Sequence, residues 1–289
     1  MPDTARFGPA GNSNSFKEQG YKTTLQAPGY VEKMGLDCYE YQCGRGVRVN
    51  PDTAEKFRRK AAEHRVAVSL HAPYYISLSS VEEEKRQKSV DYILQSARAA
   101  DMLGASRIVV HTGSCAKISR AEALELAKGT IQTALDALDA AGLGHIHICP
   151  ETMGKLNQLG TLEEVLALCR LDSRLIPCID FGHLYARTLG GIAGKDDFRR
   201  ILDAIGSVLG EEKLRDFHAH YSMIEYTENG GEKRHLTFAD GLFGPDFHPL
   251  MELLAEYGSC PTIICESAGT QAEDALAMKT YYHQQLLKI

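Results

Sequence analysis

No apolar run in this 289-residue sequence approaches the roughly 20 residues that a membrane-spanning helix needs. The opening stretch, MPDTARFGPAGNSNSFKEQG, lacks the apolar segment and small-residue cleavage site of a secretory signal. Both absences predict a cytoplasmic protein with no membrane partner. The cysteines, at 38, 43, 115, 149, 169, 178, 260 and 265, never fall in CxxC spacing. Most lie in or beside apolar runs, which argues against a zinc knuckle or disulfide frame and for reduced thiols packed as small core residues. Proline- or serine-rich linkers, low-complexity tracts and charge blocks are missing too, so one domain over 1–289 is expected. An excess of positive charge is also lacking: 32 Lys and Arg against 38 Asp and Glu leave a net charge of −6. That balance disfavours non-specific attraction to nucleic acid, although bound metal ions can reverse the sign of the field in one cleft.

What is present is a regular alternation. Short β-type runs occur at 5–8, 36–41, 66–71, 106–111, 145–151, 175–180, 214–220 and 261–266. Longer helical patterns lie near 26–34, 53–64, 81–103, 120–141, 161–170, 195–209, 246–257 and 271–287. Asp52, Ser119, Thr161 and Pro245 supply start signals and Gly104, Gly142 and Gly258 supply stops. Successive βα units of this kind predict an α/β fold, a closed (β/α)8 TIM barrel with its functional rim at the C-terminal ends of the strands. The first unit is the weakest, because Pro28-Gly29 interrupts its helix.

Potential metal ligands recur at those strand ends. His71 closes VAVSLH, His111 closes RIVVH, Glu151 closes HIHICPE, Asp180 and His183 end IPCIDFGH, His218 lies in LRDFHAH, Glu266 closes TIICE, and His235 lies in the loop after the seventh run. A single strand-terminal histidine is ordinarily a half-buried imidazole bonded to a carbonyl, and Asp180-x-x-His183 is also an ordinary helix-start spacing with the Asp as cap. Their repetition on one rim is what points to a metal cluster. Period two along the strands then puts Ser69, Val109, Cys149, Cys178, Asp216 and Ile264 one layer deeper in the barrel. Most are small or apolar, as an interior layer should be. Asp216 and His147 are exceptions that need hydrogen-bond partners.

Imidazoles mixed with carboxylates, without thiolates, suit zinc, manganese or iron rather than calcium or magnesium. At three or four ligands per ion the set can hold at least two ions, with Glu151 placed in order to bridge them. A bridged pair roughly 3.5–4 Å apart activates a water and stabilises a leaving oxygen in phosphoester hydrolysis.

In the order and spacing of LHAPYY, VVHTGS, PETMGKLNQLG, CIDFGHLYA, FHAHYS, EKRHLTF and IICES, nearly the whole chain resembles the endonuclease IV family, zinc-dependent apurinic/apyrimidinic endonucleases on a xylose isomerase-like barrel. The resemblance implies that His71 and His111 hold a first zinc. Glu151 then bridges to a second zinc held by Asp180, His218 and Glu266, and His183 and His235 contribute to a third. It implies an enzyme that cuts damaged double-stranded DNA on the 5′ side of an abasic site, with Glu151 at the reactive centre and no protein partner. Tyr74 matches a side chain that enters the minor groove, and Arg45, in YQCGRGVRVN, an arginine inserted at the lesion. Two departures stand out. Where the family's third zinc uses Asp-Arg-His, this chain has Lys233-Arg234-His235, so two zinc ions are expected to be held firmly and the third site is doubtful unless Glu232 or Glu225 substitutes. Manganese and iron remain alternatives to zinc. Phe7 stands where the family has a histidine in its first strand, near the rim.

Related barrels support a different reading, a metal-dependent sugar isomerase or epimerase in which a carboxylate such as Glu151 moves a proton. A binding protein that kept the fold without turnover is the non-enzymatic alternative. The number of ions discriminates: two or three favour hydrolysis, one favours isomerisation, none favours binding alone.

Overall fold

The computed structural model describes residues 4–289; residues 1–3 of the expected domain lie outside the described residues. Eight parallel strands form the barrel: β1 (Arg6–Pro9), β2 (Cys38–Gln42), β3 (Ala67–His71), β4 (Arg107–Val110), β5 (His147–Pro150), β6 (Cys178–Asp180), β7 (His218–Tyr221) and, after an intervening hairpin of β8 (Met223–Thr227) and β9 (Gly231–Leu236), β10 (Thr262–Cys265). They group as β2-β3-β4-β5 and β1-β10-β7-β6. Parallel bridges between Ala10 and Glu40, Ile148 and Leu175, and Glu151 and Cys178 join the two halves into a ring. This is the closed (β/α)8 TIM barrel that the βα alternation predicts.

The helices follow the expected pattern and add three. Pro51–Glu63 is capped by Asn50, whose side chain accepts from Asp52 and Thr53 N–H, so the start signal lies two residues before Asp52. Ser119 and Thr161 each form a capping box, with Glu122 and Glu164. Gly104 and Gly258 end their helices in left-handed conformation. Pro28 does not interrupt a helix; it sits in the first turn of Ala27–Lys33, where its missing N–H would have had no intrahelical partner. Asn14–Glu18, Phe181–Arg187 and Glu211–Arg215 are additional. Among the described residues no helix is long and apolar enough to cross a membrane.

The packing separates two compartments. The large cluster between sheet and helices includes Phe7, which meets Tyr282 of Gln271–Leu286 at 5.5 Å between ring centroids. Phe7 therefore faces the helical layer and not the rim's surroundings. Val109, Cys149, Ile176 and Cys178 form a separate small cluster inside the barrel, as the period-two pattern requires. Lower down, Asp216 pairs with Arg107 at 2.8 Å and His147 meets the Arg174 carbonyl at 3.1 Å, so both polar exceptions are partnered. The β5 strand continues into a long loop that carries the site's floor, and two guanidiniums hold it. Arg120 donates to the Leu156 and Gln158 carbonyls and to Glu164. Arg187 donates to the carbonyls of Met153, Lys155 and Gln158.

Where β1 meets β2 the backbones approach so closely that a Cβ on Gly8 would stand 1.8 Å from the Cys38 carbonyl oxygen. Only glycine fits there. Gly8→Ala is expected to force the strands apart and cost about 1–3 kcal/mol or more. An unchanged midpoint in chemical denaturation would show that this contact does not limit barrel closure.

Candidate metal centre

The strand ends converge on a cleft of about 620 Å³ at the C-terminal mouth of the barrel, lined by His71, Tyr74, His111, Glu151, His183, Glu232, His235 and Glu266 among others. Glu151 lies at its base and is fully buried. One oxygen, Oε2, stands 3.4 Å from His71 Nε2 and 3.2 Å from His111 Nε2. The other, Oε1, stands 3.1 Å from His220 Nδ1 and 3.3 Å from His183 Nδ1. Burial alone would raise the Glu151 pKa, but the surrounding imidazoles of His111, His183, His220 and His71 outweigh it and hold the carboxyl well below its usual range.

Asp180 performs two tasks with its two oxygens. Oδ1 caps the helix Phe181–Arg187 by accepting from His183 N–H at 2.7 Å, and Oδ2 faces His183 Nδ1 at 3.2 Å and His220 Nδ1 at 4.0 Å. The helix-cap reading and the ligand reading of Asp180-x-x-His183 are thus compatible. Burial raises the Asp180 pKa; His183 opposes this, while Glu266 and Glu151 add to it. Burial disfavours the His183 cation, yet Asp180, Glu151 and Glu232 together lift its pKa well above the usual value. Glu266 reaches His220 Nδ1 at 3.6 Å and His235 Nδ1 at 4.0 Å.

The contribution of β7 differs from expectation. His220, not His218, joins Glu151, Asp180 and Glu266, and separately His71 and Glu151, in groups whose ligand atoms lie within 4.8 Å of one another. Register explains the correction: Asp180 on β6 pairs with His220, whereas His218 pairs with Cys178 one layer deeper. Both histidines point inward because they are two residues apart, and alternation alone does not say which reaches the rim. His218 is fully buried; its Nε2 contacts Glu40 at 3.1 Å, its Nδ1 has no partner, and burial lowers its pKa despite Glu40. His218 is also near Cys178 and His220, in a group below the rim.

The third cluster is also reassigned. His183, Glu232 and His235 gather within 4.8 Å, with His183 Nε2 3.5 Å from Glu232 Oε2. A register shift in the β8–β9 hairpin pairs Glu225 with Arg234 and Tyr226 with Glu232, leaving Lys233 as the extra residue of a bulge. Lys233 and Arg234 therefore turn outward together and both bind Glu225. Lys233 thus does not stand among these donors: its ammonium is half exposed on the outer side of the hairpin, and Glu232 is the carboxylate beside His183 and His235.

Tyr74 stands over the cluster, its ring stacked on His111 at 5.4 Å and edge-on to His71 at 5.1 Å. Gly44 makes room for it, since a Cβ there would stand 2.2 Å from the Tyr74 ring. Arg45 is exposed on the neighbouring loop and is not among the residues lining the cleft.

The donor set fits divalent cations. Glu151 Oε2 and Asp180 Oδ2 are buried and accept no well-directed hydrogen bond, although imidazole nitrogens face both. Several carboxylates brought together in a buried place need positive charge between them, and mixed nitrogen and oxygen donors match zinc, manganese or iron.

A family model described as xylose isomerase-like TIM barrel matches residues 29–281. An uncharacterized protein of Methanocaldococcus jannaschii is 34% identical over 275 residues, covering 95% of this chain and 96% of that one. A Streptomyces avermitilis protein named "Probable endonuclease 4" is 29% identical over 239 residues, 78% of this chain and 73% of that one. Among solved structures, endonuclease IV from Thermus thermophilus superposes with a TM-score of 0.69 at 21% identity, covering 98% of this chain and 100% of that one. A D-tagatose 3-epimerase-like protein also gives 0.69, at 18% identity, covering 98% of both. At these identities the structural likeness is one of fold.

The two histidines of β7 separate in a binding experiment. His220→Ala should weaken zinc binding by about 10-fold or more, because it removes a donor facing three carboxylates. His218→Ala should leave the number of bound ions unchanged while lowering thermal stability. Loss of an ion from His218→Ala alone would return the rim assignment to His218.

Proposed function

Because the chain belongs to the AP endonuclease 2 family of xylose isomerase-like TIM barrels, we propose that it is a cytoplasmic metal-dependent phosphodiesterase that hydrolyses damaged double-stranded DNA on the 5′ side of abasic sites. Zinc is the proposed ion, with manganese or iron as alternatives. The observation that carries this reading is the number of donors. Glu151 is shared by four imidazoles, and three rim groups, His71-Glu151-His220, Glu151-Asp180-His220-Glu266 and His183-Glu232-His235, share one cleft. One ion uses three or four such donors, so this rim suits more than one.

In this reading His71, His111 and Glu151 would hold one ion, Asp180, His220 and Glu266 together with Glu151 would hold a second, and His183, Glu232 and His235 would hold a third. When bound, such ions would polarise a phosphoryl oxygen and lower the pKa of a water at neutral pH. The chain's own part is to fix those donors on short strand ends and on a capped helix, and to keep the base of the cleft dry. Tyr74 offers its ring at the mouth to the minor groove of the duplex. Arg45, on the exposed loop beside it, is proposed to enter the DNA at the lesion.

The alternative is a sugar isomerase or epimerase, which shares the fold: the epimerase-like structure superposes as well as the endonuclease IV structure. It needs one ion and a carboxylate that moves a proton, and leaves the His183-Glu232-His235 group without a use.

Incubated with zinc and a duplex carrying one abasic analogue, the protein should nick the damaged strand on its 5′ side, more weakly as salt rises because phosphate contacts release counterions. Glu151→Gln should stay folded and lose about 100-fold or more of this activity. Interconversion of a ketose and an aldose, or of two epimeric ketoses, with no nicking would establish the isomerase or epimerase reading instead.

A further inference from the structure

Beneath the rim lies a carboxylate that none of the roles above uses. Glu40, in the middle of β2, is fully buried inside the barrel. Its Oε2 accepts from the Ser69 hydroxyl at 2.9 Å and stands 3.1 Å from His218 Nε2. Its Oε1 accepts from the Gln42 amide at 3.2 Å and stands 3.1 Å from His220 Nε2. A buried carboxylate is costly unless its lone pairs are filled, and Glu40 has four donors around its two oxygens. An ionised carboxylate only accepts, so both imidazoles must present Nε2–H to it.

For His220 this has a direct chemical consequence. With the proton on Nε2, the lone pair of the neutral ring is on Nδ1, and Nδ1 is the atom that faces Glu151 at 3.1 Å, Glu266 at 3.6 Å and Asp180 at 4.0 Å. A histidine that ligates a metal through one nitrogen and donates its other N–H to a carboxylate is held in one tautomer and one orientation, and is made more basic toward the metal.

We infer that Glu40 is the positioning residue for the metal centre: by accepting Nε2–H from His220 it fixes the ring with Nδ1 turned to the carboxylates of the rim, and by accepting Nε2–H from His218 it braces the same strand from one layer below. The second grip accounts for two inward histidines on β7 when the rim uses one. Gln42, which lines the cleft and whose Oε1 accepts from the Tyr74 hydroxyl at 3.5 Å, links Glu40 to the mouth. This inference rests on the metal-binding reading of the rim.

The test uses the full chain, with zinc as probe in competition with a chelator, and nitrogen NMR of the histidine rings at a pH where they are neutral. The wild type should bind zinc and show His220 as the Nε2–H tautomer. Glu40→Leu should weaken zinc binding about 10- to 100-fold and leave His220 as a mixture of tautomers. Because loss of a buried anion can disturb folding, Glu40→Gln serves as the isosteric second variant. Its amide oxygen can accept from one imidazole while its NH2 confronts the other, so affinity should fall and one of the two ring signals should change tautomer. Folded variants with wild-type affinity and unaltered tautomers overturn the positioning role while leaving the metal centre standing. Wild-type protein that takes up no zinc, manganese or iron overturns both.

Discussion

Glu40, Glu151 and Asp180 are all fully buried within the barrel, and Glu266 stands beside them at the mouth. An ionised carboxylate removed from water without compensation costs more than hydrogen bonds to ordinary neighbours return, and carboxylates near one another repel as well. The surrounding architecture answers that constraint. Four strand ends and one helix start bring imidazoles between the carboxylates, the Phe181–Arg187 N-terminus satisfies one Asp180 oxygen, and Ser69 and Gln42 donate to Glu40. Even so, Glu151 Oε2 and Asp180 Oδ2 retain unfilled lone pairs. The site has the charge and donor geometry of a place built around divalent cations, and the barrel supplies the rigidity that keeps the carboxylates from separating.

Much of this was legible in the linear chain, and the parts that were not share a physical cause. The eight strands, the rim location and the convergence of His71, His111, Glu151, Asp180, His183 and Glu266 follow from the recurrence of ligand types at the ends of apolar runs. A two-residue ambiguity remained in β7, because His218 and His220 face the same way and only the pairing of β6 with β7 sets their depth. Lys233 was misplaced for a related reason: a bulge adds one residue to β9, moves the ammonium outward and brings Glu232 in. Bulges leave no mark in residue type. Glu40 carries no such signal, because a lone glutamate in a tyrosine-flanked strand reads as a solvated residue on a half-exposed face, and its partners Ser69, His218 and His220 come from two other strands.

The fold itself does not choose between chemistries. The endonuclease IV and epimerase-like structures superpose equally well on this chain, as expected of a scaffold whose strands are generic and whose reactivity lies in the residues at their ends. What separates the readings is the count of donors and their division into overlapping groups around Glu151.

That division is most directly tested by anomalous diffraction at the zinc and manganese edges from crystals of the purified protein, with elemental analysis of the same sample. Two or three closely spaced peaks, with Glu151 bridging a pair of them and Glu232 beside the third, are the predicted result. A single ion held without Glu151 as a bridge, or none, would contradict a multi-ion hydrolytic centre.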